Sequence, residues 1–317
     1  MIHSINPWTQ ESIGEVAVSS AENVNACFTK ASKVFDKWSS LTVEERWEKL
    51  LPAKNYLTEH KYQLAKLITH EVGKPLWEAE TEVGAMIAKF DAVFDAYQVR
   101  SHNQEGDLNG VQFRLDYLSL GTIGIFGPFN LPAHLSHGQI LPALLMGNTV
   151  VFKPSPLTPL VGDWFANLWS HLPEGVFQIV QGGVATAQQV LSKKELRGLI
   201  FIGSYQVGQE IHKFLAGRTE VLLALEMGGN NPLIVGQTDS NDTNPIVCNI
   251  IQSHLITSGQ RCVAARRLIL PIGKIGDDIL EHLSTSLSSV LGGDPMLPEN
   301  YYGCLLYTSP SPRDSDS

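Results

Sequence analysis

Leu199-Ile200-Phe201-Ile202-Gly203-Ser204-Tyr205-Gln206-Val207-Gly208 starts as an apolar β-like run, breaks at Gly203 and restarts with a helix-capping Ser204. A strand that ends in a Gly turn and feeds a helix is half of a parallel crossover unit. Four more short runs have the same character, at Thr122–Phe126, Thr149–Lys153, 176–180 and 221–225, and the gaps between successive runs hold helix-sized segments. Right-handed crossovers between parallel strands follow, so the expected fold class is α/β with a doubly wound parallel sheet. The GxGxxG fingerprint of dinucleotide sites does not occur. The Gly203-Ser204 turn is the substitute. Free N–H groups and the helix dipole at such a start favour a pyrophosphate, and Ser204 can both cap the helix and donate to the ligand. Many strand-to-helix turns carry Gly-Ser, so other residues must decide the use of the sheet.

Outward from the sheet, the first hundred residues read mostly as helix. Thr42-Val43-Glu44-Glu45 has the form of a capping box with Trp47, Leu50 and Leu51 behind it, and Pro52 predicts a kink or an early stop. A second amphipathic segment runs through Tyr56, Leu57, Leu64, Leu67 and Ile68 towards Gly73 and Pro75. These segments read as a helical layer over one face of the sheet. From 111 to 120 the residues alternate, with Val111, Phe113, Leu115 and Tyr117 on one side and Gln112, Arg114 and Asp116 on the other. Period two predicts a half-exposed strand, and such a strand invites pairing with another chain.

The chain has 317 residues, 43% of them hydrophobic, which suffices for one large core or two ordinary ones. A formal net charge of −9 argues against nucleic acid or an anionic membrane surface as partner. The four cysteines show neither CxxC nor His/Cys ligand spacing, so neither a disulfide framework nor a metal site is expected. The start, Met1-Ile2-His3-Ser4-Ile5-Asn6-Pro7-Trp8, has no basic and apolar leader pattern, and no run reaches the length of a membrane span. A reduced, cytoplasmic protein is the expectation.

Two further stretches carry chemistry: Ser258-Gly259-Gln260-Arg261-Cys262 and Leu225-Glu226-Met227-Gly228-Gly229-Asn230-Asn231-Pro232. A free cysteine is more often inert core than nucleophile. Cys262, however, sits at a turn entering the apolar run Leu268-Ile269-Leu270, with Arg261, Arg266 and Arg267 beside it, whereas Cys27 lies in a helical pattern and Cys248 among Ile246, Val247 and Ile250. A thiol that attacks a carbonyl carbon forms a covalent intermediate, and a neighbouring carboxylate can activate the water that releases it as an acid. Thiol, base and nucleotide site together make an aldehyde oxidoreductase.

The same residues resemble the aldehyde dehydrogenase superfamily, whose base Glu precedes Leu/Met-Gly-Gly and whose nucleophile follows Gly-Gln. Most members carry Lys after the two glycines. Asn230-Asn231-Pro232 stands here instead, and with Gly127-Pro128-Phe129-Asn130-Leu131-Pro132-Ala133-His134-Leu135 and Ala265-Arg266-Arg267 it is similar to the N-succinylglutamate 5-semialdehyde dehydrogenases. Glu71-Val72-Gly73-Lys74-Pro75 is a further superfamily element, and the likeness runs in order from about Asn6 to Cys304. It implies a Rossmann variant over residues 1–227, with an oligomerisation ribbon near 108–120, followed by the first part of an α/β catalytic domain over 228–305.

In this family Cys262 is the nucleophile, Glu226 the base, and the oxyanion rests on the Cys262 N–H and the Asn130 side chain. Phe201, Gly203, Ser204, Tyr205, Gln206, Val207 and Gly208 would hold the cofactor's phosphates, and Lys153 and Ser155 its adenosine ribose. The implied cofactor is NAD. Many members place a Glu at the position of Pro156, where it bonds the ribose and repels a 2′-phosphate, so NADP is admitted here as well. The implied substrate is a small-molecule aldehyde, N-succinylglutamate 5-semialdehyde, whose carboxylates call for Arg or Lys at the entrance, Arg261 among them. A homo-oligomer is implied for a full member, which is much longer than this chain. Residues 306–317, rich in Ser, Pro and Asp from Tyr307 onward and without apolar period, read as a disordered, non-native tail. A fragment ending there would act at most as a nucleotide-binding or assembly module.

Overall fold

The computed structural model describes residues 1–237 and 242–306; the tail 307–317 lies outside the described residues. An antiparallel pair, β1 (Ile2–Ile5) and β2 (Ser12–Val16), opens the chain. Four helices follow: α1 (Ala21–Ser39), α2 (Val43–Glu59), α3 (Lys61–Val72) and α4 (Leu76–Arg100). The capping box at Thr42 is made in both directions with Glu45. Pro52 neither stops nor splits α2. The carbonyl it deprives of a donor belongs to Glu48, an exposed residue where water can replace the bond. The expected second segment divides at His60, so Tyr56 and Leu57 finish α2 while Leu64, Leu67 and Ile68 belong to α3. Gly73, at φ 80°, closes α3 in the left-handed conformation.

A hairpin comes next, with β3 (Gln104–Leu108) and β4 (Val111–Leu115) joined by Asn109-Gly110, at φ 57° and 84°. Two left-handed positions are what a two-residue hairpin turn requires. The expected strand is present but shorter, and it is exposed on both faces rather than one.

The main sheet contains β5 (Thr122–Phe126), β6 (Thr149–Lys153), β7 (Phe177–Ile179), β8 (Leu196–Gly203) and β9 (Leu222–Met227), all parallel, in the order β7-β6-β5-β8-β9. Helices α5 (His134–Leu145), α6 (Pro159–Leu168), α7 (Val184–Leu191) and α8 (Tyr205–Leu215) make the crossovers. The apolar runs are continuous because both faces are covered. Ile123, Ile125, Val150 and Phe152 face a core built with α2 to α6, whereas Phe126, Val151, Leu199 and Phe201 face one built with α1, α7 and α8. The chain moves outward from β5 through β6 to β7, then returns to place β8 on the other side of β5. At that reversal the crossovers leave on opposite faces and open a crevice beyond the carboxyl ends of β5 and β8, the usual ligand position in such sheets.

After Met227, β10 (Asn231–Ile234) pairs in parallel with β11 (Ala265–Ile269). Helices α9 (Asn244–Leu255) and α10 (Lys274–Ser289) complete a small separate core around Val247, Ile250, Ile279 and Leu283. Among the described residues no helix is long and apolar enough to cross a membrane.

Candidate active site

The crevice is a cleft of about 840 Å³ whose lining includes Asn130, Lys153, Ser155, Phe201, Gly203, Ser204, Val207, Glu226 and Cys262. Nine residues expected from sequence therefore meet in one cavity, of a size ordinary for small-molecule sites. Tyr205, Gln206 and Gly208 do not line it. Tyr205 is exposed and its hydroxyl accepts from Gln209 Nε2 at 2.8 Å, while Gly208 lies so close to Met227 Sδ that an added Cβ would sit 2.4 Å from the sulfur.

Each side of the cleft is built by a chain turn. On the sheet side Ser204 caps α8, its Oγ accepting from Val207 N at 3.3 Å. Tyr205 and Gln206 head that helix, where N–H groups have no partner within the helix and remain open to an anion. Phe201 folds its ring over Gly203, leaving 2.5 Å to the position of any Cβ there. Lys153 Nζ is buried and donates to the carbonyls of Pro154 at 3.1 Å and Gly182 at 2.8 Å; burial pulls its ammonium down to about 8. Ser155 Oγ accepts from Leu157 N at 3.2 Å in the turn before α6. A cleft with open helix-terminal amides on one wall and three cationic residues, Lys153, Arg261 and Arg266, in its lining fits a dinucleotide. Among the described residues no group of His, Cys, Asp and Glu could hold a metal ion.

On the other side stands the turn before Cys262. Thr257 (φ 56°, ψ 36°), Ser258 (φ 52°, ψ 35°) and Gly259 (φ 74°) are successively left-handed. For a β-branched residue this is a strained state, and each non-glycine position of this kind costs about 1–3 kcal/mol. The turn leaves the Cys262 side chain exposed at the cleft, and the Cys262 N–H makes no hydrogen bond among the described residues. Asn130 is buried opposite. Its Nδ2 donates one hydrogen to the Gln260 carbonyl at 2.6 Å and keeps the second, while its Oδ1 accepts from Leu131 N. The buried ion pair of Lys74 and Glu82 supports this loop, with Lys74 Nζ on the Asn130 carbonyl at 3.2 Å and Glu82 Oε1 accepting from Ala133 N and His134 N. Glu226 lies near the carboxyl end of β9, paired in register with Ile202, and is exposed without a hydrogen bond or ion pair among the described residues.

Three contacts were not foreseen from sequence. Asn231 Nδ2 donates to the Cys262 carbonyl at 2.6 Å. Nothing in the sequence marked it, since the residue standing where Lys is usual is its neighbour Asn230. Glu78, buried in α4, binds Thr257 and Arg261, and no local signal marks it. Arg261 is accordingly tied down, with Nε on Thr257 Oγ1 at 2.8 Å and Nη2 on Glu78 Oε1 at 2.8 Å. Arg266, which also lines the cleft, is exposed with a single 3.3 Å bond to the Gly259 carbonyl. Of the candidate entrance cations, Arg261 is thus held by an ion pair, whereas Arg266 makes none among the described residues. Of the other thiols, Cys248 is exposed but outside the cleft lining, while Cys27 is half-buried and burial pushes its thiol upward.

Comparison with known proteins agrees with this arrangement. The family model described as "Aldehyde dehydrogenase family" matches residues 1–310. An N-succinylglutamate 5-semialdehyde dehydrogenase of Burkholderia thailandensis is 40% identical over 298 residues, which are 92% of this chain and 61% of that protein. Among solved structures, an aldehyde dehydrogenase of Mycobacterium tuberculosis complexed with NAD+ has a TM-score of 0.89 at 28% identity, over 96% of this chain and 63% of the other. A glyceraldehyde-3-phosphate dehydrogenase of Methanocaldococcus jannaschii complexed with NADP has the same TM-score at 26% identity, over 96% and 67%. The chain thus spans about three-fifths of the length of the curated relative it matches. With the sheet order, the cleft at its reversal point and a family match over nearly all its residues, the chain belongs to the NAD(P)-dependent aldehyde dehydrogenase family.

Proposed function

We propose that this chain carries the reacting groups for NAD(P)-dependent oxidation of an aldehyde to a carboxylate through a cysteine thioester. The substrate in this reading is N-succinylglutamate 5-semialdehyde, the product N-succinylglutamate, and the setting arginine catabolism. The observation that carries it is that Cys262, Glu226, Asn130 and the head of α8 line one cleft. The name of the Burkholderia relative supports the substrate. Residues 1–227 act as the cofactor domain, and 228–305 bring the nucleophile.

The steps follow from the groups present. Cys262, as thiolate, attacks the aldehyde carbon, and the oxygen that becomes negative is met by the Cys262 N–H and the second hydrogen of Asn130 Nδ2. Both donors are fixed before charge develops, which is where such donors contribute most. The cofactor, when bound, accepts the hydride released from that carbon. Open amides at Tyr205 and Gln206, together with Ser204, would hold its phosphates, and Lys153 and Ser155 its ribose. NAD is the expected form, and Pro156, which also lines the cleft, leaves room for NADP. Glu226 then takes a proton from water as the water attacks the thioester, freeing the acid and the thiol.

Glu226→Gln separates the two halves of the reaction. It should retain acylation and the first hydride transfer but slow thioester hydrolysis about 100-fold or more, giving a burst near one reduced cofactor per site and little turnover. Rapid-mix absorbance of the reduced cofactor reads both phases, and unchanged steady-state turnover rules Glu226 out as the base. A second reading, a nucleotide-binding module without turnover, is favoured by the exposure of both Cys262 and Glu226, since hydride transfer needs a closed site. Cofactor binding by calorimetry with no aldehyde-dependent reduction would select it.

A further inference from the structure

We infer that Glu78 is the positioning residue of the nucleophile: its carboxylate holds the left-handed turn that presents Cys262 to the cleft. The inference rests on Cys262 being the nucleophile, as proposed above.

Glu78 lies on the first turn of α4 and is buried. Its two oxygens receive three donors from a segment 179 to 183 positions away: Oε2 accepts from Thr257 N at 2.8 Å, and Oε1 accepts from Thr257 Oγ1 and from Arg261 Nη2 at 2.8 Å. Arg261 Nε in turn donates to Thr257 Oγ1 at 2.8 Å, closing a ring of Glu78, Thr257 and Arg261. Thr257 is fully buried, left-handed and β-branched, so the local chain does not favour the shape it holds. Such a shape persists only where its surroundings over-determine it. The residues that follow are tied as well, the Gln260 carbonyl by Asn130 Nδ2 and the Cys262 carbonyl by Asn231 Nδ2, each at 2.6 Å. Gly303 N donates to Ser258 Oγ at 3.1 Å, Leu306 N to Gln260 Oε1 at 3.0 Å and Arg266 to the Gly259 carbonyl.

The ring has a second consequence. Arg261 is adjacent to Cys262, yet its guanidinium is paired with Glu78. Glu82, one helical turn further along α4, supports the Asn130 loop. A single rigid helix therefore sets both sides of the candidate oxyanion site.

The test uses alkylation, which needs no turnover. In the 317-residue chain, iodoacetamide labelling of Cys262 and of Cys248, both exposed, is followed by peptide mapping, giving an internal rate ratio. Glu78→Gln keeps the volume but puts an amide donor against either Thr257 N or the Thr257 hydroxyl and Arg261, so it cannot satisfy all three. We expect a wild-type ratio of about ten or more that falls at least about fivefold in Glu78→Gln, with NAD+ affinity within about twofold of wild type. Thr257→Val, which removes the bridging hydroxyl, should lower the ratio in the same direction should Glu78→Gln not fold. A purely structural Glu78 would lower the unfolding midpoint and leave the ratio unmoved, and that result overturns the inference. A wild-type ratio near one overturns it too, by removing the nucleophile reading on which it stands.

Discussion

Three arginines lie close to Cys262 in sequence, and two of them, Arg261 and Arg266, line the cleft in different surroundings. Arg261 is bound to Glu78 and Thr257, while Arg266 faces the cleft with most of its donors unused. If the substrate is a succinylated semialdehyde, Arg266 is the cation placed to meet a carboxylate far from the reacting carbon. Contacts of that kind act equally on ground and transition states, so their loss shows in KM more than in kcat. Arg266→Gln should raise KM for N-succinylglutamate 5-semialdehyde about tenfold, the low end for a hydrogen bond to a charged group, and leave an uncharged aliphatic aldehyde unaffected. Equal rises for both aldehydes in steady-state assays would remove Arg266 from the recognition of charge. Cys262, Glu226 and Asn130 were legible because each stands in a short motif with its own turn residues. The commitment of Arg261 was not, because its partner Glu78 lies 183 positions away and nothing in a helical stretch reveals which carboxylate will be buried. Asn231 was not legible either, because it gains a role only when β10 and β11 pair and bring it to the Cys262 carbonyl.

Among the elements, α3 and α6 are joined through one buried carboxylate. The N-cap of α6, Thr158, makes no side-chain cap, and Glu71 of α3 supplies it, accepting from Leu160 N at 2.9 Å, Val161 N at 2.7 Å and Ser4 Oγ at 2.5 Å. Burial pushes this carboxyl from 4.5 up to about 7 against the pull of those donors. Between these values the folded protein holds a proton that the unfolded chain has released, so stability is fully present on the acid side and is lost as pH rises through about 7. Relative to Glu71→Gln, which cannot titrate, the wild-type unfolding free energy should fall between about pH 5 and pH 8 by at most the order of 3 kcal/mol. Urea unfolding at several pH values checks this, and a difference that stays flat or rises would show that the helix-terminal donors keep Glu71 ionised. The central strands β5 and β6 could be read from sequence because strands buried on both faces are continuous apolar runs. The β1 and β2 pair gave no such signal, since most of its residues are at least partly exposed. The break at His60 was likewise silent, because α3 begins without a side-chain cap.

At the scale of the whole molecule, the β3 and β4 hairpin has the least support from the rest of the chain. Val111 is 67% exposed, Phe113 46% and Leu115 44%, with Leu108 and Leu118 also outside. A lone two-stranded hairpin is marginal in water, and each strand retains an unpaired edge. Among the described residues its side chains form ion pairs only locally, Arg114 with Glu105 and with Asp116 just past β4. A second copy of the chain would complete it, either by adding strands at an edge or by covering the apolar face, and closed two-fold pairing is the commonest outcome for such surfaces. We expect the 317-residue chain to sediment as a dimer or larger at micromolar concentration. Because the sheet cores lie elsewhere, Phe113→Asp should shift it to monomer while the thermal unfolding midpoint measured on dilute protein stays close to wild type. Wild-type sedimentation as monomer, or an assembly unmoved by Phe113→Asp, would mean that this hairpin is not the seam between subunits.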